Sequence, residues 1–285
     1  MKTLKFFLLL ILIGSSLQLA SQVNPVSIDL KSNGVKLDAK FYPVNKKDKT
    51  PTVILLHGFP GNQSSPLGLA EKLNSAGFNI LVFNYQGSYQ SEGDYSVDNC
   101  IDNVGAAFNF LADPGNQARF NIDTSKIVVC GYSFGGTIAI ESGMYNEKIR
   151  NIISIGNGDH SLTLKKAAAD SVFQGFIAKS FGPKGPFRGD LKAQLEVDLK
   201  NIDRYDLVKN AEKLMNKKML FIVGWQDKTS FLEINTLPLY RKLQQLNSGN
   251  VSIKGFESDH RFGNVIDDIT DTITEWIIKN AGARL

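Results

Sequence analysis

The sequence predicts an α/β fold in which helices cover both faces of a mostly parallel central sheet. Short apolar runs rich in Val, Ile and Leu alternate with longer segments that carry apolar residues at helical spacing. Near the N-terminus, two segments alternate apolar with polar residues on either side of Asn33-Gly34, a pair typical of a tight β-turn. An N-terminal antiparallel hairpin is therefore expected to precede the parallel part of the sheet.

The predicted elements follow one another in chain order. The hairpin pairs residues 26–31 with 35–42. Strands are predicted at 52–56, 78–83, 127–130, 151–155, 219–223 and 251–255. Helices are predicted at about 64–76, 97–111, from the turn near 133 to 144, 231–246 and 265–279. Regular alternation stops between about 156 and 216. We expect this stretch to be a helical lid insertion within a single domain of residues 22–285.

Residues 1–21 have the features of a signal peptide. Lys2 and Lys5 precede a short apolar run at 6–13, and small residues follow near a plausible cleavage point. The apolar run is too short to span a bilayer as a helix. These features predict export, to the periplasm or out of the cell, with no stable membrane span after the signal is removed. An uncleaved N-terminal anchor is the alternative.

Composition limits the classes of partner. The 285 residues carry a formal net charge of +4, and no basic block interleaved with aromatic residues follows the signal peptide, so nucleic acid is not an expected partner. The residues that commonly bind metals are scattered, which implies no metal and no organic cofactor. Cys100 and Cys130 are expected to be buried thiols, with a disulfide between them left open. No sequence feature indicates an oligomeric state.

One stretch carries the first candidate catalytic residue. The β-branched run at 126–129 leads into Gly131-Tyr132-Ser133-Phe134-Gly135, and small apolar residues follow. This order predicts a strand, a sharp turn and a helix, with Gly131 and Gly135 leaving room for the turn. Ser133 at the apex would expose its hydroxyl from a strained backbone, as a nucleophile requires. Because so short a pattern also arises by chance, its meaning depends on a base, an acid and oxyanion donors elsewhere.

The chain has three histidines among which to find the base. His260 lies on a loop just past a predicted strand near the end of the chain, from which it can reach back to Ser133. His57 directly follows a buried strand and precedes Gly58, so we expect it to support a backbone turn rather than transfer protons. His160 lies at the start of the insertion and is expected to be a surface or lid residue.

The candidate acid is Asp227, which directly follows a buried apolar strand at its carboxyl end. The alternative is that Asp227 caps the helix predicted a few residues later. Asp259 is adjacent to His260 in sequence and would point away from it. Asp159 is a second candidate, with no strand end to fix it.

Together these motifs resemble the α/β-hydrolase superfamily over nearly the whole chain that follows the signal peptide. The matching segments are His57-Gly58-Phe59-Pro60-Gly61 for the oxyanion loop, Gly131-Tyr132-Ser133-Phe134-Gly135-Gly136 for the nucleophile elbow, Gly224-Trp225-Gln226-Asp227 for the acid and Asp259-His260-Arg261-Phe262 for the histidine. Residues 83–93 resemble the family's F-D-Y-R-G-x-G-x-S-x-G loop, but Asn84 replaces Asp and Gln86 replaces Arg. The resemblance is greatest to the serine aminopeptidase, dienelactone hydrolase and prolyl-oligopeptidase-like branch, without a propeller domain.

The resemblance implies a mechanism. Ser133 would attack an acyl carbonyl, His260 would carry the proton, and Asp227 would orient the imidazole, while the backbone N–H groups of Phe59 and Phe134 would bind the oxyanion. We therefore expect a secreted serine hydrolase that cleaves a carboxylic ester of a small-molecule acyl substrate. The phenylalanines of the insertion favour an apolar acyl site.

Three alternatives stay open. An aminopeptidase of the same fold would need carboxylates to hold a substrate ammonium, for which Glu92, Asp94 and Asp159 are candidates. A catalytically silent hydrolase fold would bind a ligand or a partner. An acyltransferase would pass the acyl group to an acceptor other than water. The sequence does not name the substrate.

Overall fold

Eight strands form one sheet at the centre of the protein, described here by a computed structural model over residues 24–182, 184–246 and 248–282. The strands are β1 Val26–Ser32, β2 Val35–Tyr42, β3 Thr50–Leu56, β4 Asn79–Phe83, β5 Ile122–Tyr132, β6 Asn151–Ile155, β7 Lys218–Gly224 and β8 Val251–Phe256. They lie in the order β1-β2-β4-β3-β5-β6-β7-β8. Strand β2 pairs antiparallel with β1 and β4, and the remaining neighbours pair in parallel. The predicted fold class is therefore confirmed.

Helices cover both faces of this sheet. They are α1 Leu69–Ser75, α2 Val97–Ala112, α3 Pro114–Phe120, α4 Phe134–Tyr145, α5 His160–Ala169, α6 Ser171–Ala178, α7 Leu191–Lys200, α8 Leu232–Asn235, α9 Leu237–Gln245 and α10 Ile266–Asn280. Val53 and Leu55 of β3 pack in one core cluster with apolar residues of α1 and α10. Ile54 and Leu56 pack in the other with α2, α4 and α9. Because side chains alternate along a strand, one continuous apolar run fills both cores.

Three helix predictions need correction. The segment at 64–76 begins as a 3-10 turn over Pro66–Gly68, so its α-helix starts at Leu69. Asp113 accepts a hydrogen bond from the Asn116 N–H and caps α3, which sequence periodicity had not predicted. The single helix expected at 231–246 is two, because α9 restarts with a proline in its first turn, where proline's missing N–H is tolerated.

The segment between β6 and β7 carries α5, α6 and α7 and is joined to the body of the protein at its middle. Phe187 forms an isolated antiparallel bridge with Ser88. The Arg188 N–H donates to the carbonyl of Gly87 at 2.7 Å, and its guanidinium donates to the carbonyl of Tyr89 at 2.9 Å. Since Ser88 and Tyr89 lie in the loop after β4, this loop and the insertion hold each other in place.

The remaining sequence predictions concern thiols and the membrane. Cys100 and Cys130 are both buried and free, so the disulfide is excluded and the buried thiols are confirmed. Burial raises the pKa of Cys130 to about 12. None of the helices in the described part of the chain is long and apolar enough to cross a bilayer. The predicted signal peptide lies outside the described residues, so export stays a prediction.

Candidate active site

Ser133 lies at the turn between β5 and α4, with φ of 55° and ψ of −120°. This is a conformation that residues with a Cβ rarely adopt. The Ser133 N–H donates to the carbonyl of Ile155 at 2.7 Å, which fixes the turn to the next strand. A Cβ on Gly131 would lie 2.0 Å from the Gly135 carbonyl oxygen, and one on Gly135 would lie 2.6 Å from the Leu56 oxygen. The two glycines therefore permit the close approach on which the turn depends.

Three side chains from three separate strand ends meet beside this turn. His260 Nε2 lies 2.9 Å from Ser133 Oγ, and His260 Nδ1 lies 2.6 Å from Asp227 Oδ2. The His260 side chain is 15% exposed and that of Asp227 only 2%, so the chain of hydrogen bonds runs from a buried carboxylate to a more accessible hydroxyl. With the proton of Nδ1 directed to Asp227, Nε2 is left to accept the serine proton.

The carboxylate of Asp227 is fixed at both oxygens. Its Oδ1 accepts hydrogen bonds from the N–H groups of Thr229 and Ser230, each at 2.8 Å. Its Oδ2 faces His260. Asp227 thus accepts hydrogen bonds from backbone N–H groups, as the alternative role of a helix cap predicted, and also contacts His260. Holding Oδ1 by two amides orients Oδ2, because a carboxylate is planar.

The loop after β3, which contains Gly58 and Phe59, lies beside the turn at Ser133. A Cβ on Gly58 would lie 3.1 Å from the Ser133 Cβ, so the loop passes close to Ser133. Among the described residues, no backbone carbonyl accepts a hydrogen bond from the Phe59 N–H. Phe134 is the first residue of α4, where the N–H has no carbonyl partner within the helix. Both amides are free to bind an oxyanion.

His57 supports this loop through a hydrogen bond to its backbone. Its Nδ1–H donates to the carbonyl of Gly58 at 2.9 Å. Burial lowers its pKa to about 4, so the ring is neutral near neutral pH. The loop after β4 supplies a further brace, since Asn84 accepts from the Gln63 N–H at 2.8 Å and donates to Asp38 at 2.8 Å. The neutral side-chain amide of Asn84 thus makes both hydrogen bonds, one as acceptor and one as donor.

The other acidic candidates lie in different environments. Asp259 pairs with the exposed guanidinium of Arg261 at 2.9 Å. Asp159 caps α5 by accepting from the Leu162 N–H at 3.1 Å, and its other oxygen accepts from the Leu207 N–H at 3.3 Å. Glu92 and Asp94 are absent from the lining of the cavity at Ser133. The three carboxylates considered for an aminopeptidase do not converge on the nucleophile.

His160 forms a buried pair that the sequence did not predict. Its Nδ1 lies 2.9 Å from both carboxylate oxygens of Glu141, which is fully buried in α4. Burial lowers the pKa of His160, but the Glu141 carboxylate outweighs this effect, and the net pKa lies above its ordinary value of 6.5. The expectation of a surface or lid histidine is wrong in its first part, because His160 is buried at the base of the insertion. The signal that could have found it is a glutamate inside the apolar helix segment that follows the elbow.

A cavity of about 280 Å³ opens at Ser133 and His260. Its walls come from the loop after β3, from α4 and from the insertion, and are mainly aromatic and aliphatic. The aromatic lining residues are Phe59, Tyr95, Phe134, Phe173, Phe176 and Phe181. A largely apolar pocket of this kind suits an apolar group on a ligand. No group of metal-ligating side chains is found within the described ranges.

Comparison with known proteins identifies the family. Residues 51–252 match the sequence profile of the family described as alpha/beta hydrolase fold. The chain belongs to this family. Among curated proteins, the quorum-quenching protein AidA of Acinetobacter baumannii is 27% identical over 146 residues, which is 50% of this chain and 46% of AidA. The match thus spans about half the length of that relative.

Two solved structures of α/β hydrolases show the same architecture. The esterase Pf2001 of Pyrococcus furiosus superposes with a TM-score of 0.68 at 18% identity, covering 90% of this chain and 91% of the esterase. A puromycin-hydrolyzing peptidase of Mycobacterium tuberculosis superposes with a TM-score of 0.71 at 17% identity, covering 93% of this chain and 40% of the peptidase. At these identities the likeness shows the shared fold.

Polar residues of the insertion are the part of the site that sequence reasoning missed. Gln194 and Asp198 of α7 both line the cavity. The helix has no sequence motif that distinguishes them from the solvent-facing polar residues beside them. Only the packing of α7 against the rest of the insertion places them at the cavity.

Proposed function

We propose that this α/β hydrolase is a serine hydrolase that cleaves carboxylic esters through an acyl-enzyme. The observation that carries the proposal is the unbroken series of contacts from Asp227 Oδ2 to His260 at 2.6 Å and from His260 to Ser133 Oγ at 2.9 Å. Each distance lies within the range that proton transfer requires, in the order acid, base, nucleophile.

In the first half-reaction, Ser133 Oγ attacks the ester carbonyl carbon while its proton passes to His260 Nε2. The tetrahedral intermediate collapses when the bond to the alcohol oxygen breaks and Nε2 returns the proton to that oxygen. The acyl group stays on Ser133. In the second half-reaction, water gives a proton to Nε2 and attacks the acyl carbon. The bond between the acyl carbon and Ser133 Oγ then breaks, Nε2 returns the proton to Oγ, and the acid is released.

The backbone supplies the electrostatic part of catalysis. The N–H groups of Phe59 and Phe134 would donate to the carbonyl oxygen as it becomes an oxyanion. Asp227 would stabilise the imidazolium of His260 and keep its Nδ1 protonated. In this proposal the groups are ordered before the substrate binds, so little reorganisation is needed when charge develops.

One observation favours an ester over a peptide substrate. The cavity at Ser133 has a mainly apolar lining, which suits the acyl or alcohol half of a small ester. The three carboxylates considered for an aminopeptidase, Glu92, Asp94 and Asp159, do not line this cavity, whereas Asp198 does. An esterase is also among the proteins with the same architecture, although a peptidase is another.

The test is a rate comparison with a matched serine variant. The purified protein should hydrolyse 4-nitrophenyl esters of short and medium-chain acids faster than aminoacyl 4-nitroanilides, judged by kcat/KM. Ser133→Ala should abolish both activities while leaving the thermal unfolding midpoint close to that of the wild type. Faster cleavage of the anilides would indicate the peptidase instead. Full activity in Ser133→Ala would refute the serine mechanism.

A further inference from the structure

Asp198 is a carboxylate in the wall of an otherwise mainly apolar cavity. It lies in α7, is 2% exposed, and lines the same cavity as Ser133 and His260. The mechanism proposed above gives it no role. A buried carboxylate is costly unless its oxygens are hydrogen-bonded, so its partners indicate what it can bind.

The hydrogen bonds to Asp198 all reach one oxygen. Gln194 Nε2 donates to Oδ1 at 2.7 Å, and the Tyr205 hydroxyl lies 3.2 Å from the same atom. That hydroxyl also lies 3.2 Å from an oxygen of Asp98, and its single proton cannot serve both carboxylates at once. Across the described ranges, no donor reaches Oδ2 of Asp198.

Asp198 also forms no ion pair within the described part of the chain, whereas Asp98 pairs with the guanidinium of Arg204 at 3.0 Å. Burial raises the pKa of Asp198, and the hydrogen bonds from Gln194 and Tyr205 and the nearby His160 offset only part of that effect. His160 lines the same cavity, but its described hydrogen bonds go to Glu141 and not to Asp198. Oδ2 of Asp198 is therefore left without a protein donor, and the cavity is the space from which a donor can come.

We propose that Asp198 determines substrate specificity. Its Oδ2 would accept a hydrogen bond from a donor group on the acyl chain of the substrate. The inference rests on the proposed ester hydrolysis and names its substrate class: esters whose acyl chain carries a hydroxyl or an ammonium away from the scissile bond. A carboxylate in that position is disfavoured, because it would lie beside the carboxylate of Asp198. A ketone is also disfavoured, because it accepts hydrogen bonds and cannot donate one.

The wild-type protein alone can test this preference. The substrates are 4-nitrophenyl esters of hexanoic and octanoic acid with a terminal hydroxyl, a terminal ammonium, a ketone at the penultimate carbon, or no substituent. At the chain length that reaches Asp198, the hydroxyl or the ammonium ester should exceed the ketone ester in kcat/KM by about 10-fold or more, as expected for a hydrogen bond to a charged group. Whichever of the two is faster identifies the donor.

Substitution of Asp198 assigns the preference to its carboxylate. Asp198→Leu removes both acceptor oxygens at similar volume, and the ratio of donor to ketone ester should fall to about 2-fold or less. Asp198→Asn keeps the shape and removes the charge, so the ammonium ester should lose its advantage even if the leucine variant does not fold. Glu196→Gln, on an exposed position of the same helix, should leave every ratio unchanged.

The outcomes separate this inference from the function on which it rests. Hydrolysis of the unsubstituted esters without preference for a donor, or a preference that survives in both Asp198 variants, overturns the role of Asp198 and leaves the esterase intact. Failure of the wild type to hydrolyse any of these esters overturns both.

Discussion

The protein contains two histidine–carboxylate pairs, and they differ in what the second ring nitrogen meets. His260 contacts Asp227 through Nδ1 and Ser133 Oγ through Nε2. His160 contacts Glu141 through Nδ1, but its buried Nε2 has no partner among the described residues. The first pair lies at the carboxyl ends of parallel strands, and the second joins α4 to the start of the insertion. From this comparison we expect catalysis to need a nucleophile at the second ring nitrogen as well as a carboxylate that holds the first.

The two regions also differ in how each carboxylate is held. Asp227 has one oxygen fixed by two backbone amides and the other directed at the imidazole. Glu141 directs both oxygens at Nδ1 of His160. The first arrangement would orient the imidazole toward Ser133, and the second places a buried carboxylate beside the buried imidazole of His160. The predictions below contrast these two regions, in order of decreasing effect.

The largest contrast is expected between the two histidines. His260→Gln removes the proposed base, and kcat for an activated ester should fall by about 10⁴-fold or more. His160→Gln removes no atom of the proposed mechanism, and kcat should fall by less than about 10-fold. Steady-state kinetics on one 4-nitrophenyl ester measures both. Equal losses of kcat in the two variants would contradict the assignment of His260, rather than His160, as the base.

The next contrast concerns two aspartates near His260. Asp227→Asn preserves the shape but leaves the imidazole without its anionic partner, so kcat should fall by about 10³-fold to 10⁴-fold. Asp259→Asn is the matched control, because Asp259 is adjacent in sequence but pairs with Arg261 instead. Its kcat should stay within about 2-fold of wild type. A large loss in Asp259→Asn with none in Asp227→Asn would reassign the acid.

A pair of glycine substitutions compares the rigidity of the two regions. In Gly131→Ala the new Cβ would lie 2.0 Å from the backbone oxygen of Gly135, so the elbow must shift and both kcat and stability should fall sharply. In Gly175→Ala, within α6 of the insertion, the Cβ meets nothing within 4 Å. That variant should gain about 0.5–1 kcal/mol, because alanine favours the helix. Urea unfolding and ester kinetics on both variants test the contrast.

The smallest effect on kcat belongs to the last contrast, which is a pH dependence of stability from the His160–Glu141 pair. Because the pKa of His160 in the folded protein lies above its ordinary 6.5, the stability it contributes is present below pH 6.5 and is lost as the pH rises through the folded value. Glu141→Gln should cost about 2–4 kcal/mol of unfolding free energy at about pH 6, and the cost should shrink toward higher pH. Urea unfolding of both proteins across this range gives the difference. A cost that grows with pH would contradict the assignment.

Much of the fold follows from the sequence because local patterns and long-range packing agree there. The Asn-Gly turn adopts positive φ at both residues, 51° at Asn33 and 81° at Gly34, as its composition predicts. The apolar runs become strands buried on both faces because each is short and flanked by turn residues. The glycines around Ser133 predict the elbow because no other residue fits so close to the backbone of β3.

The insertion could not be predicted in the same way. Its helices are short, and α6 has no buried residue, so apolar periodicity gives little information about which side faces the cavity. Gln194 and Asp198 lie at positions that only the tertiary packing brings to the cavity. The two halves of the candidate site thus differ in how they are specified. Local sequence specifies the strand ends, and contacts between residues distant in sequence specify the cavity wall formed by the insertion.

The central claim is that Ser133 is a nucleophile activated by His260, and covalent labelling tests it most directly. Intact mass spectrometry after treatment with a fluorophosphonate should show one adduct per chain, with the modified peptide containing Ser133. Ser133→Ala should show no adduct, and His260→Gln should react far more slowly. A folded wild-type protein that is not labelled, or a Ser133→Ala variant labelled as fast as wild type, would contradict the account.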